Sequence, residues 1–158
     1  IVYPIPRQKW LIWIDEETGE VSKGRKSTKK GSEYSAFAEL YRIKTFLKEP
    51  NLKIKLIILD MDEYKILNGW GAQRKNHASK YDRIPNQFVE EITLECKEDY
   101  LQFIPYDLQE PFTSKEFAKA TKCNTQLAGV TLNLLNYLEV VKRVGKQGNA
   151  FLYETVEG

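Results

Sequence analysis

A chain of 158 residues has room for one ordinary domain or two small ones. Hydrophobic residues make up 42% of it and charged residues 29%, which is the composition of a globular protein rather than of a disordered one. Apolar runs such as Leu56–Leu59 are far too short to span a membrane. The formal net charge of +2 excludes binding of nucleic acid as a bulk polycation, so such binding must come from local clusters of Lys and Arg.

Cysteine and histidine are scarce. Cys96 and Cys123 are the only cysteines, which favours a reducing compartment over a disulfide framework and predicts a cytoplasmic protein. Neither has a plausible general base nearby in the sequence, so neither is expected to act as a nucleophile. With His77 as the only histidine, no zinc site of ordinary ligand spacing can be assembled. We therefore expect no metal and no cofactor.

The N-terminal segment predicts a linker followed by a hairpin. Ile1–Lys9 has the composition of a linker, which suggests that the chain is the C-terminal part of a longer protein. Trp10–Ile14 is apolar and β-rich, and its tryptophans are most simply core residues. Asp15–Gly19 predicts a turn, after which Glu20–Lys23 could return as a second strand.

The middle of the chain predicts a helix, a buried strand and a long loop. Ser32 can cap a helix that runs through Lys48, where apolar residues recur at helical spacing. Lys53–Leu67 is strand-like, with a continuous apolar centre that indicates burial on both faces. Asn68–Arg83 is a polar loop, and loops of this length are usually functional or mobile. Pro85 is predicted to open a short helix that ends near Ile92.

The last third begins with two independent helix-start signals, after a linker at Pro105–Pro111. Thr113 and Glu116 have the spacing of a capping box, in which each side chain accepts a hydrogen bond from the other residue's amide. Phe112 and Phe117 occupy the two positions of a hydrophobic staple. This helix is expected to end near Thr121.

A second helix and a hairpin follow. The helix starts at Asn124 or Thr125, with a predicted buried stripe of Leu127, Val130, Leu134 and Leu138. The predicted hairpin has Glu139–Val144 and Ala150–Tyr153 as strands and Gly145–Asn149 as its tip.

This order of elements resembles the winged-helix DNA-binding superfamily over about 45 residues, in the pattern FTSKEFAKATKCNTQLAGVTLNLLNYLEVVKRVGKQGNAFLYE. The resemblance implies that Thr125 and Gln126 meet the major groove, and that Lys146 and Gln147 meet the backbone or the minor groove. The hairpin residues Lys142 and Arg143 are further candidates. The chain departs from the pattern because its second helix contains no Lys or Arg and the module is neutral overall, which leaves open a protein-interaction module instead.

Two basic segments lie outside this module. Lys23–Lys30 contains no acid, and Arg74–Arg83 places cations between aromatic and polar residues, a composition that suits contact with a nucleic-acid backbone. An ordinary solvated loop explains the same residues. The candidate contacts are Arg25, Lys26, Arg74, Lys75, His77, Lys80 and Arg83.

Carboxylates at the end of the predicted strand raise the possibility of a nuclease. Asp60 and Asp62 share one strand face and, with Glu39 or Asp15, could hold Mg²⁺. Glu63 begins a crude match to the Glu-x-Lys motif of restriction-type nucleases. Solvated acids at a strand end explain the same residues. Three carboxylates within four residues of one strand do not converge around an ion, so we expect no metal-dependent cleavage.

The sequence therefore predicts an α+β protein, with a small N-terminal α+β domain over residues 1–104 followed by a C-terminal winged helix-turn-helix over residues 105–158. The favoured function is non-catalytic nucleic-acid binding, with DNA as the favoured partner and no contact with a membrane. The alternatives are a protein-interaction module of a larger assembly and a metal-dependent nuclease. A fragment from about Tyr106 onward is expected to fold alone.

Overall fold

The computed structural model describes residues 1–67 and 78–157, and it has an α+β fold. The strands are β1 (Val2–Asp15), β2 (Arg25–Lys26), β3 (Ile54–Leu67), β4 (Ala78–Leu94), β5 (Val141–Gln147) and β6 (Ala150–Thr155). The α-helices are α1 (Phe37–Arg42), α2 (Ser114–Thr121) and α3 (Thr125–Tyr137), and short 3₁₀ helices cover Glu33–Ala36, Lys44–Phe46 and Lys97–Phe103. None of the described helices is long and apolar enough to cross a bilayer.

The chain divides into two compact units. The helical unit comprises Ile1–Tyr3, Glu33–Leu56 and the described residues of Ile92–Gly158. The sheet unit comprises Pro4–Ser32 and the described residues of Ile57–Glu91. The boundary predicted between residues 104 and 105 does not coincide with this division, and it stays a prediction.

The strands β1 to β4 are hydrogen-bonded in the order β2-β1-β3-β4. Two ion pairs within the sheet unit, Arg7–Asp60 and Lys9–Glu63, follow the same order along β1 and β3. These two strands therefore run in parallel, with β4 on the other side of β3.

The predicted linker at Ile1–Lys9 is wrong, because β1 already begins at Val2. Prolines at positions 4 and 6 gave this segment its linker-like composition, yet strands accept proline where no ladder amide is needed. Beyond β1 the predicted turn is present, since the Asp15 carboxylate accepts hydrogen bonds from the amides of Glu17 and Thr18. Within Glu20–Lys23 the return is a bridge between Ile14 and Val21, and the chain then continues antiparallel to β1 through β2.

The predicted helix from Pro85 to Ile92 is also wrong, because these residues lie within β4. Ile92 and Leu94 are buried with the period of two that a strand gives. Pairing with β3 overrides the local helix-start signal, as tertiary contacts commonly do for strands. Residues 78–83 of the predicted loop also belong to β4, and residues 68–77 lie outside the described part of the chain.

Aromatic rings form the centre of the helical unit. The predicted helix at 32–48 is broken into a 3₁₀ turn, α1 and a second 3₁₀ turn, and α1 packs against α3. The Tyr34 hydroxyl donates a hydrogen bond to the Phe103 carbonyl at 2.8 Å. The Phe37 ring centroid lies 4.9 Å from that of Phe103, and the Tyr34 centroid lies 6.0 Å from that of Phe117.

The predicted start of α2 is confirmed. The Thr113 hydroxyl accepts a hydrogen bond from the Glu116 amide at 3.3 Å, and the Glu116 carboxylate accepts one from the Thr113 amide at 2.7 Å. The rings of Phe112 and Phe117 stack with centroids 6.0 Å apart, as the staple predicts. The helix ends at Thr121, and Lys122 follows in the left-handed conformation.

The buried stripe of α3 differs from the predicted one. Leu134 and Leu138 are buried as expected, but Leu127 and Val130 are only partly so. The helix packs against both α1 and α2, so its buried surface is wider than a single stripe and includes Ala128, Thr131, Leu132 and Leu135. A pattern based on leucine and valine alone does not detect a buried face that contains alanine and threonine.

Candidate nucleic-acid interface

The hairpin of β5 and β6 presents a row of polar and basic side chains. Every residue of β5 after Val141 is exposed, and β5 pairs antiparallel with β6. The chain reverses at Gly148, whose φ of 63° favours glycine. The tip between the strands is Gly148 and Asn149, which is shorter than the predicted tip Gly145–Asn149. Gly145 lies within β5, where the register shifts.

Two cations of the hairpin lie over aromatic rings. The Arg143 guanidinium is 4.0 Å from the ring centroid of Phe151, and the Lys146 ammonium is 4.9 Å from the same centroid. Tyr153, the cross-strand partner of Arg143, is itself buried against Phe112. Cation–π contacts hold the two charges near one ring and reduce the entropy that they would lose on binding an anion.

The N-terminus of α3 offers neutral polar groups. The Asn124 side chain accepts a hydrogen bond from the Leu127 amide at 2.7 Å and so fixes the start of the helix. Thr125 and Gln126 follow in the first turn and are exposed. Hydroxyl and carboxamide groups at a helix start are able to pair with base edges, and they add no charge to the helix.

Lysines also flank the other end of α3, a feature that sequence reasoning missed. The ammonium groups of Lys44 and Lys48 lie 5.5 Å and 4.5 Å from the ring centroid of Tyr137. The lysines and the tyrosine are about ninety residues apart in the chain, so only the packing of α1 against α3 brings them together. No local sequence signal could have found this cluster.

In the sheet unit, the predicted cations Arg25 and Lys26 lie over tryptophans of β1. Lys26 is opposite Trp10 in the antiparallel pairing of β2 with β1, and its ammonium is 5.8 Å from the Trp10 ring centroid. The Arg25 guanidinium is 5.3 Å from the Trp13 centroid. Trp10 is 38% exposed, so the expectation that it is a core residue is wrong.

Beside these residues the sheet unit contains a cleft of about 400 Å³, which we call the polar cleft. Its lining includes the basic residues Arg7, Lys26 and Lys30, the aromatic residue Trp10, and the amide residues Asn86 and Gln87. Gln8 and Asp60 also line it, and both are buried. The cleft is thus basic, with one aromatic ring.

The other predicted basic residues divide into two groups. Arg74, Lys75 and His77 lie outside the described residues. Lys80 and Arg83 belong to β4, and the Arg83 guanidinium donates a hydrogen bond to the Glu63 carboxylate at 2.8 Å. Arg83 is therefore engaged in an ion pair within the protein, whereas the Lys80 side chain is exposed.

The candidate catalytic carboxylates are each held by donors of the protein. Asp60 accepts two hydrogen bonds from the Arg7 guanidinium, at 2.6 Å and 3.0 Å, and this pairing lowers the pKa of Asp60. Asp62 accepts one from the Asn86 carboxamide at 2.9 Å, and the Glu39 carboxylate pairs with Arg42 at 3.3 Å.

Glu63 is 2% exposed and is ion-paired with Lys9 at 3.3 Å and Arg83 at 2.8 Å. Burial on its own would raise the pKa of Glu63, but the nearby charges of Lys9 and Arg83 outweigh burial and lower it. Among residues 1–67 and 78–157 no group of three or more His, Cys, Asp or Glu side chains is arranged to hold a metal ion. The described carboxylates therefore give the nuclease hypothesis no support.

Both cysteines are free thiols. Cys96 is exposed, and hydrogen bonding to Glu98 raises the pKa of its thiol. Burial raises the pKa of Cys123. Both shifts reduce the thiolate fraction on which nucleophilic reactivity depends.

The model of one protein family, the Domain of unknown function (DUF8091), matches residues 1–95 of this chain. No curated protein matches the chain. No solved structure matches it either.

Proposed function

The chain belongs to the family of the domain of unknown function DUF8091, and we propose that it binds nucleic acid without catalysis, with duplex DNA as the favoured partner. In this proposal α2, α3 and the β5–β6 hairpin form a winged helix-turn-helix. The order of these elements supports the assignment, together with a bridge between Phe112 and Tyr153 that ties the start of α2 to the hairpin.

One observation carries the proposal: β5 exposes Lys142, Arg143 and Lys146 and contains no acidic residue. Phosphate contacts supply most of the affinity of DNA-binding proteins, and a hairpin with three exposed cations can make several of them. Lys142 is opposite Glu154 in the hairpin register, so Arg143 and Lys146 are the stronger candidates. Gln147, next to the tip, offers a carboxamide beside them.

In the same proposal α3 supplies the contacts to bases. Its first turn exposes Thr125 and Gln126, and residues at the start of a recognition helix commonly contact base edges in the major groove. A neutral α3 fits these two roles, in which the hairpin provides affinity through phosphate contacts and the helix discriminates between base sequences.

The test is titration of a fluorescein-labelled duplex with the full chain, followed by anisotropy at several salt concentrations. We expect affinity to fall steeply between about 50 and 200 mM salt. The double variant Arg143→Ala with Lys146→Ala should bind more weakly and should reduce the slope of log affinity against log salt by about two. Lys97→Ala, an exposed lysine of a 3₁₀ helix, is the matched control.

Two results would contradict the proposal. One is that the wild-type chain binds neither duplex nor single-stranded probes at low salt. The other is that the hairpin variant and the Lys97→Ala control have the same affinity and the same salt slope. The affinity of Gln126→Ala for several duplex sequences then tests the role of α3. Loss of a base contact should reduce the differences in affinity between those sequences.

The exposed apolar residues of β4 favour protein interaction as a second candidate function. Tyr81, Ile84 and Phe88 are 64%, 47% and 62% exposed, and apolar surface of this kind often marks a contact with another protein. This candidate would replace the first if nucleic-acid binding is absent and Phe88→Ser abolishes association with a protein partner while leaving thermal stability unchanged.

A further inference from the structure

The polar cleft of the sheet unit has walls that are anchored by backbone hydrogen bonds. The Ser27 amide donates to the Lys9 carbonyl at 2.8 Å, and the buried Gln8 carboxamide donates to the Ser27 carbonyl at 3.0 Å. The segment that carries Lys26 and Lys30 is thereby attached to β1. The two ammonium groups extend from backbone of defined position, as a built binding site requires.

The charges that line the polar cleft leave an excess of two positive charges. Arg7 is neutralised by Asp60, which accepts both of its hydrogen bonds. Lys26 and Lys30 are not matched by any other carboxylate in the lining. The cleft therefore suits a ligand that brings about two negative charges, such as a phosphate group.

The remaining lining suits a nucleobase. Trp10 is 38% exposed, the Lys26 ammonium lies 5.8 Å from its ring centroid, and every base has a face that can stack on an indole ring. Asn86 and Gln87 line the side of the cleft formed by β4, and the Asn86 carboxamide, which already donates one hydrogen bond to Asp62, keeps a second N–H and an acceptor oxygen. A volume of about 400 Å³ falls in the range of small-molecule sites.

We propose that the polar cleft binds one unpaired nucleotide of a single-stranded nucleic acid, with its phosphate between Lys26 and Lys30 and its base stacked on Trp10. This inference rests on the proposed function, because it takes the nucleotide to be part of a nucleic-acid chain. It gives the sheet unit its own contribution to binding, separate from that of the hairpin.

The experiment measures the binding of the full chain to a labelled oligothymidylate and to a labelled duplex, under the same low-salt conditions. The double variant Lys26→Ala with Lys30→Ala should lose about tenfold or more in affinity for oligothymidylate, and it should bind duplex nearly as the wild type does. Lys23→Ala with Lys29→Ala is the matched control, because both lysines are exposed, lie in the same basic segment and do not line the cleft.

The results separate this inference from the proposed function. If the cleft variant and the control bind oligothymidylate equally, the cleft inference fails, even where the hairpin variant shows that duplex binding is real. If the wild type binds duplex but not oligothymidylate, the inference fails and the proposed function stands. If the wild type binds oligothymidylate through the cleft but no duplex, the inference and nucleic-acid binding stand, and duplex DNA fails as the favoured partner.

Two further measurements test the stacking of the base. Trp10→Phe should keep most of the affinity for oligothymidylate, whereas Trp10→Ala should lose about five- to tenfold, because only the first substitution retains a stacking surface. Competition with thymidine monophosphate should be stronger than competition with inorganic phosphate. Equal competition by the two would overturn the nucleotide assignment, since it would show a site for phosphate alone.

Discussion

Glu63 shows how a buried charge is retained at the centre of the sheet unit. Its carboxylate is almost inaccessible and lies beside cations from three strands: Lys9 of β1, Lys65 of β3 and Arg83 of β4. A carboxylate in this position would be costly if it were unpaired. The ion pairs therefore connect β1, β3 and β4 through one side chain.

Replacing Glu63 by glutamine should lower the free energy of unfolding by about 1–3 kcal/mol, because charge-assisted hydrogen bonds to Lys9 and Arg83 are lost. Urea unfolding followed by circular dichroism measures this change. Glu90→Gln is the control, since Glu90 is an exposed carboxylate of β4, and it should change stability little. Equal stability of the two variants would show that the charge of Glu63 and its ion pairs do not stabilise the fold.

The same ion pairs predict instability in acid. The pKa values of Asp60 and Glu63 are lowered in the folded chain, by Arg7 for the first and by Lys9 and Arg83, acting against burial, for the second. Their contribution to the stability of the folded chain is therefore complete above the ordinary carboxylate pKa of about 4. It is lost as the pH falls through the lower pKa values of the folded state. Melting temperatures between about pH 6 and pH 2 should fall less steeply for Glu63→Gln than for the wild type.

Whether a helix or strand could be predicted from the sequence depends on where its stabilising contacts lie in the chain. The start of α2 was predictable because Thr113 and Glu116 are three residues apart and hydrogen-bond to each other directly. The strand at Pro85–Ile92 was not predictable, because its stabilising partner is β3, a separate segment that ends at Leu67. Local signals determine a helix cap, whereas the partner strand determines β4.

The capping box leads to a prediction about helix stability. Thr113→Ala should destabilise the chain by about 1 kcal/mol, because the Glu116 amide loses its acceptor at the start of α2. Thr125→Ala is the control, since Thr125 is exposed and lies inside α3, after its cap Asn124. Thermal or urea denaturation of both variants decides the matter, and equal losses would contradict a specific role for the cap.

The candidate site was partly predictable for the same physical reason. Lys142, Arg143 and Lys146 were identified because they follow one another on a single strand. The polar cleft was not predicted as a site, because it joins β1, β3 and β4 with the segment that follows β2. Of its lining residues, the sequence predicts Lys26 as a nucleic-acid contact, from the local run of basic residues, and Asp60 only as a candidate carboxylate for a metal.

For the whole molecule, the structure changes what is expected of a C-terminal fragment. The sequence predicts that a fragment starting near Tyr106 folds alone. However, Tyr34 packs on Phe117 of α2, and α1 packs against α3, so part of the core comes from residues that the fragment lacks. We now expect residues 106–158 to give no cooperative thermal transition. A sharp transition with helical circular dichroism would restore the original expectation.

Pro85 bears on how copies of this chain behave when they are concentrated. It lies within β4, the last strand of the described sheet, between Tyr81 and Phe88 and beside Ile84, all well exposed. An outer strand with apolar side chains is a template on which a second chain can add, and such growth leads to aggregates. Proline has no amide hydrogen and interrupts the ladder that an added strand would need. We therefore expect Pro85 to hinder the addition of a second chain at this edge of the sheet.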